Sequence, residues 1–291
     1  MLKKNKDVII IGAGVSGMTS AIYLKRLNLD ILLLESSYPG GQITKTDVIE
    51  NYPGFVKING FELSDKIFEQ VTNLNIEYKN EKVLEIKKGT TIEVVTENSI
   101  YETQNLIVAT GRSPKKLGIE EDYINKGVSY CAICDGALYK DKVVAVVGSG
   151  DSAVTSAIYL SKICKKVYLI VRKDYLKAKD YLVQKLNEKV TVLFNKNVTK
   201  LYGEDKLEYI ELNSIDKLRV DGLFIYIGST PNTDFIDVVK EEGYIIVDDT
   251  MKTSEDNIYA CGDVIKKDVY QITTATSDAT IAAINIAKKT S

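Results

Sequence analysis

The fold of this chain is decided by the stretch DVIIIGAGVSGMTSAIYLKRLNLDILLLE, residues 7–35. An apolar run ends in a glycine turn, a segment of helical length follows, and a second apolar run closes the unit. Uninterrupted apolar runs of this kind are typical of parallel strands that are buried on both faces of a sheet. The stretch therefore predicts a strand–helix–strand unit of the dinucleotide-binding type.

The same pattern returns as VVAVVGSGDSAVTSAIYLSKICKKVYLIV at residues 143–171. At a constant offset of 136 residues the two stretches agree at 11 of 29 positions, including the whole run TSAIYL. Because the glycines also match, we predict an α/β protein with two Rossmann-like dinucleotide-binding domains of the three-layer ββα type. The inner domain, at about 115–242, is expected to be inserted into an outer domain formed by 1–114 and 243–291.

The composition excludes several classes of protein. The 291 residues carry 38 Lys and Arg against 40 Asp and Glu, so the chain lacks the positive field that nucleic-acid binding needs. It contains no His, which removes His triads, His metal ligands and imidazole catalysis. No run approaches the ~18 apolar residues of a membrane span, and four cysteines are too few for a disulfide scaffold. We expect a cytoplasmic protein that binds no metal, membrane or nucleic acid.

The first glycine turn has the features of a nucleotide site. Gly12, Gly14 and Gly17 form G-x-G-x-x-G between the predicted strand and helix, where glycines allow a tight turn and close approach of a pyrophosphate. Glu35 ends the second strand, where a carboxylate can accept a hydrogen bond from a ribose 2′-hydroxyl. We therefore predict that this unit binds an adenine dinucleotide.

The second turn differs at the position that would hold the ribose. Gly148 and Gly150 are kept, but the residue equivalent to Glu35 is Val171, and Arg172 and Lys173 follow it. This exchange argues against NAD and is compatible either with the 2′-phosphate of NADP or with a turn that no longer binds a nucleotide. A basic cluster lies nearby: Lys165, Lys166, Arg172, Lys173, Lys177 and Lys179. It is interpreted as a solvated face, a phosphate pocket or a docking patch for an acidic partner.

The chemistry is predicted at Cys131-Ala-Ile-Cys134-Asp135. A C-x-x-C spacing allows a disulfide, and the start of a helical turn favours a thiolate. Asp135 is adjacent and could carry the proton that dithiol chemistry requires. A zinc site would need two further ligands, and the remaining cysteines, Cys164 and Cys261, are expected to be buried apolar residues.

Taken together, these motifs resemble the low-molecular-weight thioredoxin reductase family, a group of FAD flavoproteins. The resemblance runs nearly end to end and rests on GAGVSG at 12–17, PGGQITKTDVIENYPGF at 39–55, ATGR at 109–112, GVSYCAICDG at 127–136, GSGDSA at 148–153, GSTPNT at 228–233, IYACGDV at 258–264 and YQITTA at 270–275.

The resemblance implies that electrons pass through FAD and the Cys131–Cys134 dithiol to a thioredoxin, usually in a homodimer. Cys134 would face the flavin, Cys131 would attack the partner's disulfide, and Asp135 would serve as the acid. The residues that would bind FAD are Gly12, Gly14, Gly17, Glu35, Gln42, Asn51, Gly111, Asp263 and Gln271. Gly148, Gly150, Arg172, Lys173 and Lys177 would bind NADPH or dock another donor.

Several departures from the family concern the electron donor. The family's His-Arg-Arg-x-x-x-Arg stretch is here VRKDYLK at 171–177, and Lys keeps the charge but not the bidentate grip on phosphate. Thr155 and Ser156 stand where the family usually has Glu, 277–280 replace a glycine-rich turn, and 206–220 is short. These changes resemble the ferredoxin-dependent flavin thioredoxin reductases, so we expect reduced ferredoxin as the donor. The alternatives are an ordinary NADPH-dependent thioredoxin reductase, a flavin-binding redox sensor and a small-molecule dithiol oxidase.

Overall fold

The computed structural model describes residues 4–46 and 48–290. Asp47, part of the motif at 39–55, lies outside this range. The chain forms two compact units, one made of Met1–Lys45, Tyr52–Ser113 and Thr230–Ser291, the other of Thr46–Asn51 and Pro114–Ser229. Among the described residues no helix is long and apolar enough to cross a membrane.

The first unit contains the strand–helix–strand stretch at residues 7–35. Its elements up to the first crossing are β1 (Lys4–Ile11), α1 (Val15–Arg26), β2 (Ile31–Glu35), α2 (Gly60–Asn73), β3 (Glu77–Asn80), β4 (Val83–Lys87), β5 (Ile92–Thr96), β6 (Ile100–Val108) and β7 (Arg112–Pro114). A short 3₁₀ helix covers Gly41–Lys45. Strands β3, β2, β1 and β6 lie side by side in parallel, and β5 and β4 continue the sheet in antiparallel fashion.

The second unit repeats the design around a smaller sheet. Its elements are β8 (Val128–Ser129), α3 (Ala132–Asp135), β9 (Val143–Val147), α4 (Asp151–Ser161), β10 (Lys166–Val171), α5 (Asp180–Val183), β11 (Val190–Phe194), β12 (Val198–Tyr202), β13 (Tyr209–Leu212), β14 (Asp216–Arg219) and β15 (Gly222–Ile225). Five strands pair in parallel in the order β11-β10-β9-β15-β8, and β12, β13 and β14 form a separate antiparallel sheet. The predicted α/β class with two Rossmann-like folds is confirmed.

The last part of the chain returns to the first unit. It contains β16 (Ser229–Pro231), β17 (Lys240–Glu241), β18 (Tyr244–Ile245), β19 (Ile258–Ala260) and α6 (Ile272–Thr290). Strand β19 pairs in parallel with β6, and α6 buries Ala279, Ala282 and Ile286 in the same core as Met18 of α1. The alanines allow this 19-residue helix to lie close to α1.

The end of the inserted segment differs from the predicted boundary at 242. Residues 230–242 belong to the first unit, and the inserted segment ends at Ser229. The physical reason is burial, since Ile236 and Val238 lie in the apolar core that also contains Ile9 and Val94. The sequence shows no composition change that marks this return.

Candidate redox and dinucleotide sites

The first glycine turn follows β1 and leads directly into α1. A Cβ atom on Gly17 would lie 1.7 Å from the carbonyl oxygen of Gly12, so this glycine is required for the helix to pack on the turn. Gly12 has a φ of 101°, which favours glycine. At Gly14, by contrast, a Cβ would meet nothing within 4 Å, and in the described part of the chain no side-chain hydrogen bond caps the start of α1. The structure therefore leaves open space and amide groups where a pyrophosphate would bind.

Glu35 lies against this turn. Its Oε2 accepts a hydrogen bond from the backbone N–H of Ala13 (2.8 Å), and its Oε1 accepts from the N–H groups of Ser36 (2.8 Å) and Ser37 (3.0 Å). The end of β2 is thereby fixed beside the glycine turn, at the edge where parallel sheets bind nucleotides. The contact of Glu35 with a ribose stays a prediction.

A second segment approaches the turn from the loop after β2. Gly40 donates its N–H to the carbonyl of Ala13 (2.7 Å), and a Cβ on Gly40 would lie 1.9 Å from Ser64 Oγ. Ser64 Oγ in turn donates to the carbonyl of Pro39 (3.0 Å), so α2 holds this loop in place. The exposed side chain of Gln42 consequently begins next to the glycine turn.

Asp263 lies in a 3₁₀ turn at Gly262–Val264. This turn is next to the start of α1, as the short distance of 2.4 Å between a Cβ placed on Gly262 and Ser16 Oγ shows. Burial raises the pKa of Asp263 above its usual range, and the positive charges of Arg112 (3.7 Å) and Lys267 (3.9 Å) partly offset that effect. The result is a partly buried carboxyl group with two cations close to it, beside the start of a helix.

Two of the charges around Asp263 were missed by sequence reasoning. Lys267 forms a short ion pair with Asp278 (2.6 Å), and both side chains are mostly buried. Asp278 also accepts a hydrogen bond from the N–H of Gly262 (3.3 Å), and so fixes the turn that carries Asp263. The only signal in the sequence was that 277–280 departs from the family pattern. Arg112 was quoted within ATGR, and its stacking on Tyr270 (3.6 Å from the ring centre) could not be read from spacing.

The remaining predicted FAD residues divide between the units. Gly111 has a φ of 62°, and its carbonyl accepts from the N–H of Asn232 (3.1 Å). Gln271 precedes α6, where its carbonyl accepts from the N–H of Ala275 (3.0 Å). Asn51 belongs to the short segment that groups with the second unit, so the first unit does not contain it.

The redox pair lies in the second unit, directly after β8. Cys131 and Cys134 form a disulfide with their Cα atoms 5.3 Å apart, and both residues are partly exposed. Cys131 stands at the N-terminal cap of α3, where its sulfur accepts a hydrogen bond from the N–H of Cys134 (3.2 Å). An N–H directed at sulfur stabilises a thiolate once the disulfide is opened.

Polar contacts hold this redox turn, residues 131–135, from two sides. Ser129 Oγ accepts from the N–H of Cys131 (3.0 Å) and donates to the carboxylate of Asp135 (2.6 Å). The hydroxyl of Tyr226 accepts from the N–H of Ala132 (2.6 Å). Ser129 therefore links the carboxylate of Asp135 to the backbone amide of Cys131 and fixes that carboxylate within the redox turn. The role of Asp135 as a proton carrier stays a prediction. Neither Ser129 nor Tyr226 was identified from the sequence, because each acts through the three-dimensional position of its hydroxyl.

The second glycine turn reproduces the first. A Cβ on Gly148 would lie 2.3 Å from the carbonyl oxygen of Tyr226, whereas a Cβ on Gly150 would meet nothing within 4 Å. Helix α4 starts at Asp151 without a side-chain cap from Gly150. The same open space therefore exists here as above α1.

The basic segment after β10 reaches this turn at Lys177. The N–H groups of Lys177 (2.7 Å) and Ala178 (3.0 Å) donate to the carbonyl of Ser149, the residue between the two glycines. The side chains of Arg172, Lys173 and Lys177 are exposed. In the described residues none of these three forms an ion pair. Lys173 Nζ donates a hydrogen bond to the hydroxyl of Tyr175 (2.8 Å). The backbone of Lys177 therefore lies against the second turn, and a phosphate or donor site formed by these three residues stays a prediction.

The two other cysteines are buried and free, as expected. Burial raises the pKa of Cys164 to about 11 and that of Cys261 to about 12. Both thiols are therefore almost wholly protonated at neutral pH and poor nucleophiles.

Comparisons with known proteins agree with this arrangement. Residues 6–279 match the family described as pyridine nucleotide-disulphide oxidoreductase. The chain is 41% identical to the thioredoxin reductase of Bacillus subtilis, over 98% of this chain and 94% of that protein. The crystal structure of thioredoxin reductase from Streptococcus pyogenes superposes with a TM-score of 0.93 at 38% identity, covering 100% of both chains. A ferredoxin-flavin thioredoxin reductase from Clostridium acetobutylicum gives a TM-score of 0.57 at 33% identity, covering 99% of both chains.

The fold, the two glycine turns and the dithiol define an oxidoreductase of the disulfide-reducing flavoprotein class. The chain belongs to the pyridine nucleotide-disulphide oxidoreductase family, and within it to the low-molecular-weight thioredoxin reductases that its motifs resemble. FAD is the cofactor of this group, and the open space at Gly14 with the uncapped start of α1 fits its pyrophosphate.

Proposed function

We propose that the protein reduces the disulfide of a thioredoxin through its Cys131–Cys134 pair. The observation that carries the proposal is a disulfide between two partly exposed cysteines, next to a carboxylate that Ser129 ties to the backbone amide of Cys131. The relatives at about 40% identity are named thioredoxin reductases, which supports thioredoxin as the partner.

The first unit would hold FAD, which when bound supplies the two-electron carrier that recharges the dithiol. The amides at the start of α1 would bind the pyrophosphate, Glu35 the ribose and Asp263 the ribityl side. The other residues proposed to line the cofactor are Gly12, Gly14, Gly17, Gln42, Asn51, Gly111 and Gln271.

In the reduced protein the chemistry at the partner is a thiol–disulfide exchange. The Cys131 thiolate attacks one sulfur of the partner's disulfide, and the other partner sulfur leaves as a thiolate and takes up a proton. Cys134 then attacks Cys131 Sγ, which restores the internal disulfide and releases the second partner thiolate. The partner gains two electrons and two protons, while the dithiol loses the same number. Asp135 would carry the proton to and from the cysteines.

The proposed electron donor is NADPH, in preference to the ferredoxin expected from the sequence. Two features of the second turn support NADPH. Gly150 leaves open space at the start of α4, where a pyrophosphate would bind. Arg172, Lys173 and Lys177 follow β10, where a 2′-phosphate would bind. A turn without a nucleotide would be free to carry a side chain at Gly150, whose φ of −88° suits any residue.

Reduced ferredoxin is the second candidate donor. It is supported by the exchange of two family arginines for Lys173 and Lys177, by the loss of Glu at 155–156, and by the likeness to the clostridial ferredoxin-flavin enzyme. Exposed lysines would also suit an acidic protein.

The donor is tested by following the flavin absorbance anaerobically with NADPH, NADH or reduced ferredoxin in separate cuvettes. We expect rapid bleaching by NADPH, and we expect Gly150→Ala to slow it more than tenfold, since the new methyl group would occupy the pyrophosphate space. Gly89→Ala is the control for handling and folding, because Gly89 is exposed, its φ is not left-handed, and a Cβ there would lie 3.4 Å from its nearest neighbour, the carbonyl oxygen of Thr91. Bleaching by ferredoxin alone would make the second candidate correct.

The acceptor is tested by trapping. Cys134→Ser, once reduced, should form a stable mixed disulfide with oxidised thioredoxin through Cys131 while it retains FAD, and Cys131→Ser should form none. A redox sensor would also keep its flavin in Cys134→Ser, but this variant would form no mixed disulfide with thioredoxin. A small-molecule dithiol oxidase would turn over low-molecular-weight dithiols but not thioredoxin.

A further inference from the structure

A buried carboxylate precedes the redox turn in the sequence and takes no part in the exchange described above. Glu120 has no accessible surface, yet it is fully hydrogen-bonded. Its Oε1 accepts from the N–H of Leu117 (2.8 Å) and its Oε2 from the N–H of Ile119 (2.8 Å). The third donor is the hydroxyl of Tyr130, 2.7 Å from Oε1. Tyr130 is the residue directly before Cys131.

The charge state of this pair follows from its contacts. Burial by itself would raise the pKa of Glu120, but the hydrogen bonds from Tyr130, Ile119 and Leu117 outweigh it and hold that pKa below its usual range. Burial and the neighbouring carboxylate raise the pKa of Tyr130. At neutral pH the pair is therefore a phenol donating to a carboxylate, which is among the stronger hydrogen bonds in proteins.

The position of the pair gives it leverage on the cysteines. Strand β8 ends at Ser129, where Phe224 of β15 is its partner in the sheet, so the backbone is fixed up to that residue. The hydroxyls of Ser129 and Tyr226 accept hydrogen bonds from the first two amides of the redox turn. The Glu120–Tyr130 hydrogen bond fixes the side chain of the residue directly before that turn. The turn thus has an anchor at Tyr130, the residue directly before its first cysteine.

We infer that Glu120, acting through Tyr130, is a positioning residue that holds Cys131 close to Cys134 and so favours the disulfide over the open dithiol. The physical reason is effective concentration, because two thiols that are held in one geometry close more readily than two thiols on a mobile turn. Without this anchor the equilibrium between disulfide and dithiol would shift toward the dithiol, and the disulfide would be a stronger oxidant than in the parent protein. The part of the inference that concerns thioredoxin rests on the proposed function.

The test is the redox equilibrium of the Cys131–Cys134 couple in the full protein with FAD bound, measured in dithiothreitol buffers by trapping the free thiols with a maleimide. Tyr130→Phe should shift the equilibrium toward the dithiol by about tenfold, which corresponds to a potential higher by ~30 mV for a two-electron couple. Glu120→Gln should shift it in the same direction, and the double variant should show no further shift, since Glu120 acts through Tyr130.

Tyr123→Phe is the matched control. The Tyr123 hydroxyl donates to the carbonyl of Gly203 (3.0 Å) in the same unit, and within the described residues it forms no hydrogen bond with the redox turn. Both phenylalanine variants should lose a similar part of the free energy of unfolding, and only Tyr130→Phe should change the potential.

An unchanged potential in Tyr130→Phe would overturn the inference, as would an equal shift in Tyr123→Phe or full additivity of the two variants. Because the equilibrium is measured without thioredoxin, the result is independent of the proposed partner. If the potential shifts as expected while thioredoxin is never reduced, the proposed function fails and the positioning role remains.

Discussion

Two glycines of the first turn allow cofactor binding to be separated from folding. A methyl group on Gly17 would lie 1.7 Å from the carbonyl oxygen of Gly12, far inside van der Waals contact, and neither atom belongs to a flexible side chain. Gly17→Ala must therefore displace α1 from β1. Overpacking of this kind costs about 3 kcal/mol of the free energy of unfolding.

Gly14→Ala should behave differently. A methyl group there meets nothing within 4 Å, and the φ of −71° is normal for alanine. The loss of a favourable cap residue costs about 1 kcal/mol, and the lower entropy of the unfolded chain offsets part of it. The same methyl group would occupy the space of the pyrophosphate and displace charged hydrogen bonds worth about 3 kcal/mol together, so the affinity for FAD should fall roughly a hundredfold.

The assay needs two measurements on each variant. Urea unfolding of the apoprotein reports stability, and the flavin-to-protein absorbance ratio after dialysis, with titration of FAD into apoprotein, reports affinity. We expect Gly14→Ala to unfold close to the parent and to bind FAD weakly, and Gly17→Ala to be strongly destabilised. If Gly14→Ala bound FAD with the parent affinity, the pyrophosphate would not lie above α1, and the reasoning from open space would be refuted.

Three further outcomes are expected. Glu35→Ala should weaken FAD retention and also loosen the glycine turn, since the N–H of Ala13 loses its acceptor, and full occupancy after dialysis would remove the assigned role. Asp135→Asn should slow turnover with thioredoxin by about 10²-fold while FAD stays bound, and an unchanged rate would exclude it from proton transfer. With the disulfide intact, native protein at pH 8 should take up no maleimide, because thiols with a pKa of about 11 (Cys164) and about 12 (Cys261) are almost wholly protonated and buried; both should react after unfolding, and native labelling would contradict the burial.

The pH dependence of stability has a definite sign at Glu120. Its pKa is lowered in the folded protein, so it contributes stability above its ordinary pKa, and this contribution is lost as the pH falls through the lowered value. We therefore expect Glu120→Gln to be less stable than the parent at pH 7, with the difference becoming smaller on acidification. Urea midpoints measured from pH 7 down to pH 3 check this, and a constant difference would show that charge is not the cause.

The sequence by itself determined what depends on local spacing. The glycine spacing of 12–17 and 148–153 predicts the two turns, since the required backbone angles and close approaches are properties of a few consecutive residues. The apolar runs predict buried parallel strands, and the C-x-x-C spacing places two sulfurs within reach of each other. These features gave the fold class, the two units and the redox pair.

Only the tertiary structure decided which distant side chains meet. Lys267 pairs with Asp278 beside Asp263, Glu120 bonds to Tyr130, and Tyr226 binds the redox turn across 94 residues of sequence. The return of 230–242 to the first unit is of the same kind, because it depends on which of the two cores buries Ile236. Such contacts are set by the register of strands and the packing of helices over the whole chain, and no short pattern records them.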